Sequence, residues 1–424
     1  PANGWGKTQL IRSNVMLITF IVLYLLGSVA IGLYAARKVH NTADYAVAGR
    51  SLPLAVVIAT TFATWFGSET VLGVSARFVS GNLGAVVEDP FGASMCLILV
   101  GLFFAYKLYQ KNLITLGDYY RQRYGKGIEV ICSAIIIMSY LGWVAAQITA
   151  LGLVFNLLSQ GAISVPVGMV IGTSVVLVYT LYGGMWSVAL TDFVQMIVIG
   201  IGLILIAWFA ADLAGGAGKV IDYAAREGKF QFFPSGGDGK EWIFFFAAAI
   251  TMMLGSIPQQ DVFQRVMSSK DAGTAVRGPV IGGTLYFLFA LIPMFVVTAA
   301  VMVMPDIAPG LLKDDPQKVL PTLVMQKMPV ILQVAFFGAL LSAIMSTASA
   351  TLLAPSTTFV ENILRNIKPG MSDQATLRAM RISVLIFTVC VLVYAITMQG
   401  TSIYELVSGA YQVPLVGAFT PLVF

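Results

Sequence analysis

Eleven stretches of this chain are apolar enough and long enough to cross a lipid bilayer, which limits the fold more than any motif. They lie at roughly 15–36, 53–79, 90–109, 128–158, 163–183, 189–212, 241–267, 277–304, 328–362, 379–398 and 403–424. A helix needs about 20 such residues to span the hydrocarbon core, and inside lipid each backbone amide must bond within its own segment. The expectation is an all-α polytopic membrane protein. Only 11% of the residues are charged and the mean hydropathy is +0.86, against about 25% charged in soluble domains.

The net charge of +5 reads as topology rather than as an anionic partner. With the N-terminus outside, an odd span count makes four charged loops cytoplasmic. They carry Arg37, Lys38 and Arg50; Lys107, Lys111, Arg121, Arg123 and Lys126; Arg265, Lys270 and Arg277; and Arg365, Lys368, Arg378 and Arg381. The loops at 80–89, 159–162 and 399–402 hold no Lys or Arg, as the positive-inside rule requires. This predicts a multi-pass protein of the plasma (inner) membrane. Two longer outer loops, 213–240 and 305–327, are predicted to hold short surface helices. No basic cluster with interleaved aromatics suggests nucleic acid. Cys96, Cys132 and Cys390 are far apart and His40 stands alone, which leaves no disulfide framework and no histidine-based metal or acid–base site. No cleavable signal sequence is evident before the first apolar run.

Two spans contain residues that a lipid-embedded helix avoids unless its freed backbone faces protein or a wet cavity. One reads "TTFATWFGSETVLG" (60–73), with Gly67, Ser68 and Glu69 in its middle. The other reads "MLGSIPQQDVFQRV" (253–266), with Gly255, Pro258, Gln259, Gln260 and Asp261. Alone, each could be a simple kink. They lie five spans apart, however, and each has an acid beside its break. Two inverted five-helix units would set them opposite one another at a midplane site, and membrane-embedded carboxylates are commonly functional.

A third span carries seven hydroxyls and no charge in "MSTASATLLAPSTT" (345–358). Ser342, Ser346 and Ser349 form one helical stripe, and Ala343, Thr347 and Thr351 form the next. Close helix packing would explain a pair of such residues. Their density points instead to neutral oxygens that replace the hydration shell of a monovalent cation, Na⁺, together with carbonyls freed at the broken helix. Asp192, in "SVALTDFVQMIV", would draw that cation toward the cytoplasm or serve a second ion with Ser349.

Four ordered motifs, "DYAVAGRSLP" (44–53), "YTLYGGMWSVALTDFVQ" (179–195), "GSIPQQDVFQRVMSSKDA" (255–272) and "SAIMSTASATLLAPSTTFVENIL" (342–364), closely resemble the sodium:solute symporter family. The resemblance implies the LeuT-type fold: a polar segment 1–14, a leading helix 15–36, and inverted five-helix repeats at 53–212 and 241–424. It implies Na⁺ held by carbonyls of Phe62 and Trp65 and by Ala343, Ser346 and Thr347. Asp192 and Ser349 match a second sodium site in some members, but Ala350 stands where a hydroxyl would help. "FATWFG" and "GWVAAQ" resemble the choline-transporter-like branch. Trp65 and Trp143 would then form two walls of a cage for a quaternary ammonium, while Gln259 replaces the tryptophan of a third wall. Glu69 and Asp261 would supply charge to an amine, Gln147, Gln259 and Gln260 would hydrogen-bond an amino acid or polyol, and Thr64 and Ser68 are further candidate substrate contacts.

The expected function is a Na⁺-coupled symporter that imports a small polar organic solute by alternating access, as a monomer whose partners are solute, sodium and membrane lipid. The alternatives are a carrier for a carboxylate or sugar, or a transporter-derived sensor with a signalling domain beyond residue 424. A channel lacks a selectivity-filter repeat, and an enzyme lacks any recognisable catalytic motif.

Overall fold

Glycine and proline at mid-depth interrupt two helices. In the computed structural model, which describes residues 4–236 and 238–424 with side chains from Met16 onward, Leu54–Trp65 (α3) and Glu69–Ser80 (α4) meet at 52°. Gly239–Gly255 (α10) and Gln260–Ser268 (α11) meet at 42°. Phe66 leaves helical geometry at φ −87, ψ 70, and Gln259, after Pro258, is extended. Proline cannot donate to the preceding turn and biases the residue before it away from helix.

Before α3 come α1 (Gly4–Ala36) and the short α2 (Thr42–Val47). Between the two broken pairs lie α5 (Leu83–Tyr109), α6 (Leu116–Tyr124), α7 (Lys126–Leu158), α8 (Val165–Leu213) and α9 (Ala217–Arg226). After them follow α12 (Ala272–Val303), α13 (Ala308–Asp314), α14 (Val319–Lys327), α15 (Val330–Ile367), α16 (Asp373–Thr397) and α17 (Ile403–Val423). The two helices expected in the long loops are α9 and α14, of which α14 is largely buried, through Val319, Leu320, Leu323 and Val324, and not on the surface. The apolar part of α1 is Met16–Ala36, though the helix already begins at Gly4. Of the expected polar leader, residues 1–3 lie outside the described residues.

Among the described residues, eight helices are long and apolar enough to cross a membrane, and the two bent pairs bring the number to as many as ten. The sequence suggested eleven. The difference lies in α8, where 163–183 and 189–212 join without a loop into one run of 49 residues. An unbroken helix of that length would measure about 73 Å, more than twice the roughly 30 Å hydrocarbon core. The run is interrupted instead at Gly184, with φ 49 and ψ −138. A Cβ there would sit 2.4 Å from the Tyr45 carbonyl oxygen, so glycine is needed for both the backbone angle and the close approach.

Helix α15 is the centre of the molecule: 67% of its most apolar window is buried by protein, against 28% for α1 and α16. It packs on α8, α7, α3 and α11. At the end bearing the basic loops the two broken helices are stitched together. Leu52 N–H donates to the Ser268 carbonyl (2.9 Å) and Lys270 N–H to the Leu52 carbonyl (3.0 Å). Arg50 Nη2 donates to the Tyr109 carbonyl (2.8 Å), and Tyr109 OH to the Ser269 carbonyl (3.0 Å). At the opposite end, a cavity of about 560 Å³ opens between Arg77, Asn82, Glu88, Gln231, Tyr404 and Gln412. Helix α4 runs from the first break to the wall of that cavity.

Candidate functional site

Asp192 is fully buried on α8, beyond the Gly184 break. Its Oδ2 accepts from the Thr60 hydroxyl and from Thr64 Oγ1 (3.3 Å), while Oδ1 accepts from Ser346 Oγ at 2.6 Å. Thr60 and Thr64 are four apart and share one face of α3. Three helices therefore converge on a single carboxylate. Of the seven hydroxyls at 345–358, six donate to their own helix: Thr347, Thr351, Ser356, Thr357 and Thr358 to the i−4 carbonyl, and Ser349 to that of Ser346. Ser346 is the one that donates to another helix, at Asp192, while Thr357 Oγ1 accepts from Gln264 Nε2 of α11 at 3.4 Å. Back-bonding is the ordinary way such residues satisfy themselves in lipid, and each oxygen keeps lone pairs for a further ligand.

Thr347 faces the first break. A Cβ on Gly67 would lie 2.6 Å from Thr347 Oγ1 and 2.4 Å from Glu69 Oε2, so the bare backbone of the interrupted helix abuts the hydroxyl helix. The Phe62 carbonyl accepts from Phe66 N–H (2.9 Å), and that of Trp65 from Thr70 Oγ1 (3.4 Å). Ser349 makes no hydrogen bond to Asp192. The sequence reading gave the cage neutral oxygens and set Asp192 apart; the structure ties that carboxylate directly to Ser346.

A second cluster adjoins it, and it is aromatic. Trp65 and Trp143 pack edge to face with centroids 5.6 Å apart, Trp65 stacks on Tyr411 at 6.1 Å, and Trp143 meets Tyr411 at 5.4 Å and Tyr140 at 6.1 Å. Both indoles are pinned by carboxylates: Trp65 Nε1 donates to Asp261 Oδ2 (3.2 Å), and Trp143 Nε1 to Glu69 Oε1 (2.9 Å). Tyr140 OH donates to Asp261 Oδ1 (2.5 Å) and accepts from its N–H (2.9 Å). Gln147 donates to Glu69 Oε2 (2.6 Å) and accepts from Ser68 N–H (3.0 Å). Gln259 Nε2 donates to Ser139 (2.9 Å). Gln260 is taken up by the backbone of Leu116 (2.8 Å) and Ile114 (3.2 Å), bracing the start of α6.

Three residues that sequence reasoning missed belong here. Tyr140 lies three before Trp143 and seven before Gln147, a stripe the spacing could have revealed. Tyr411, on α17, carried no local signal. Arg265 requires a correction: counted among the cytoplasmic loop charges, it is 1% exposed within α11. Its Nη2 donates to Thr64 Oγ1 at 2.6 Å and its Nη1 to the Asp261 carbonyl at 2.8 Å. A guanidinium can end a span or be drawn into its interior by polar partners, and charge counting cannot tell the two apart.

Against known proteins, the family model for the sodium:solute symporter family matches residues 45–424. The chain belongs to the sodium:solute symporter family. Among its relatives, the high affinity choline transporter 1 of Homo sapiens is 31% identical over 393 residues, covering 88% of this chain. The Vibrio parahaemolyticus sodium/glucose cotransporter is 24% identical over 430 residues, covering 91% of this chain and 75% of its own length. The chain spans 66% of the human relative's length. Among solved structures, the substrate-bound outward-open state of a Na⁺-coupled sialic acid symporter superposes with TM-score 0.82 at 20% identity, over 95% of this chain and 86% of that one. A closed nucleobase-cation-symport-1 family transporter gives 0.57 at 14% identity, over 87% and 77%. The chain has the LeuT-type fold.

Proposed function

We propose that this protein is a Na⁺-coupled symporter that imports a small organic cation of the choline type. The observation that carries the solute class is the aromatic cluster of Trp65, Trp143, Tyr140 and Tyr411, with Glu69 and Asp261 at its edge and both indoles held by those carboxylates. Aromatic faces attract a desolvated ammonium by about 0.5–2 kcal/mol each, and the two carboxylates make the surroundings electronegative. Tyr411 stands in for the wall that Gln259 does not supply. The similarity to choline transporters supports the same class. Solute would contact Thr64, Ser68 and Gln147 at the rim, with Gln259 behind the ring through Ser139, and Gln260 would act through the loop it braces.

Sodium would take oxygens of Phe62, Trp65, Ala343, Ser346 and Thr347, with Asp192 beside Ser346 supplying charge and Ser349 positioned for a second ion or for exit. The positive-inside orientation puts the N-terminus outside in the plasma (inner) membrane and makes the stitched end cytoplasmic. This geometry is then an outward-facing one. The repeats would be 53–212 and 241–424, acting within one monomer, and binding of ion and solute to the shared broken helices would stabilise each other.

Choline uptake into proteoliposomes should be at least tenfold faster under an inward Na⁺ gradient than under a K⁺ gradient; equal rates would remove the coupling. Trp143→Ala should weaken choline by roughly 2- to 30-fold and leave its uncharged isostere, 3,3-dimethyl-1-butanol, nearly unaffected. Equal losses for both would reject the cage. Ser346→Ala should raise the Na⁺ concentration for half-maximal uptake severalfold, whereas Ser356→Ala, whose hydroxyl bonds its own helix, should not. Matching responses of the two variants would mean that the hydroxyl stripe only packs helices.

A further inference from the structure

We propose that Arg265 is a tethered cation that occupies Thr64 when the ion site is empty and leaves it when Na⁺ arrives, linking ion binding to the solute cluster. This rests on the Na⁺ site proposed above. Arg265 is 1% exposed, and among the described residues no carboxylate lies within ion-pair distance of it. A membrane-embedded charge is expensive and normally pairs with an opposite one. Here the guanidinium spends Nη2 on the neutral Thr64 hydroxyl at 2.6 Å and Nη1 on the Asp261 carbonyl at 2.8 Å, and Nε has no partner. An arginine merely needing neutralisation would take Asp192 or Asp261 directly.

Thr64 is the hinge of the arrangement. Its Oγ1 accepts from Arg265 and lies 3.3 Å from Asp192 Oδ2, to which it donates. Thr64 therefore holds the guanidinium one hydroxyl away from the carboxylate beside the proposed ion site. A second positive charge arriving at Asp192 and Ser346 repels the guanidinium through a single intervening oxygen, and a protein interior screens that repulsion weakly. Arg265 cannot leave the site altogether. Its other arm holds α11 at the Asp261 carbonyl, and the Asp261 side chain orients Trp65 and Tyr140. Displacing Nη2 therefore pulls on the residue that fixes two walls of the aromatic cluster. In the empty carrier the same arginine supplies a positive charge among buried carboxylates, which allows the protein to reorient without cargo.

The test is equilibrium ²²Na⁺ binding to the purified full chain, with and without saturating choline. In the wild type, choline should tighten Na⁺ severalfold. In Arg265→Gln, Na⁺ should bind at least threefold tighter without choline, because its competitor is gone, and choline should no longer change that affinity. Thr64→Val keeps the arginine and removes the relay, so the choline effect should again fall toward unity; this variant decides the matter should Arg265→Gln not yield a monodisperse protein. A purely structural arginine would weaken both ligands and preserve their mutual effect. That result, or a choline effect undiminished in Thr64→Val, overturns the proposal. Absence of ²²Na⁺ binding in the wild type would instead overturn the ion site itself.

Discussion

Asp192→Asn is expected to abolish Na⁺-driven uptake and to weaken equilibrium Na⁺ binding at least about a hundredfold, or about 2.7 kcal/mol. The carboxylate is the acceptor for Thr60, Thr64 and Ser346 at once. The amide keeps its shape but loses a full charge, and a unit charge about 4 Å from a cation contributes about 4 kcal/mol at the effective dielectric of protein sites. The new NH₂ also faces a hydroxyl that now donates, so that hydroxyl must turn and take its proton elsewhere. Na⁺ titrations by ²²Na⁺ binding, together with melting temperatures of the ion-free protein, separate the two effects. A melting point near wild type with Na⁺ affinity lowered as stated is the expected pair of results. Na⁺ affinity within threefold of wild type would remove Asp192 from the site.

Gly67→Ala is expected to cut choline kcat/KM by about a hundredfold or more. A Cβ at this position would lie 2.4 Å from Glu69 Oε2, 2.9 Å from Glu69 Cδ and 2.6 Å from Thr347 Oγ1, all closer than real contacts allow. Overpacking of this kind typically destabilises by about 1–3 kcal/mol. Relief comes most easily by swinging the Glu69 carboxylate, which would release Gln147 and the Trp143 indole together. Ion and solute binding should therefore fall in the same variant, as Thr347 and Glu69 are pushed apart. Gly27→Ala, where a Cβ meets nothing within 4 Å, is the matched control. Wild-type uptake by Gly67→Ala would show that the break does not bring these two side chains together.

The two broken helices were legible because Gly67 and Pro258 act locally on the backbone, and the acids beside them stand out in apolar text. The hydroxyl stripe was legible too, but not its division of labour. Spacing shows which face a serine occupies, not whether its proton goes to the i−4 carbonyl or, as for Ser346, to a carboxylate 154 positions away. Arg265 was misplaced for a related reason: the partner that holds it inside, Thr64, is 201 positions distant. Tyr411 joined the aromatic cluster through packing between helices near opposite ends of the chain, which no window of sequence contains. Two of the expected spans, 163–183 and 189–212, are joined through a kink at Gly184 and not through a loop, which is why ten candidates stand against the eleven expected.

At Leu52, Ser268 and Lys270 the stitch is made of main-chain amides and carbonyls, and Arg50 and Tyr109 add two side-chain bonds to carbonyls beside it. The main-chain part of that closure depends on no particular side chain, apart from excluding proline at a donating position. It also sets the manner of opening. Each bond released there leaves a bare donor and a bare acceptor that hydrocarbon cannot satisfy, so water must reach that end as the latch parts.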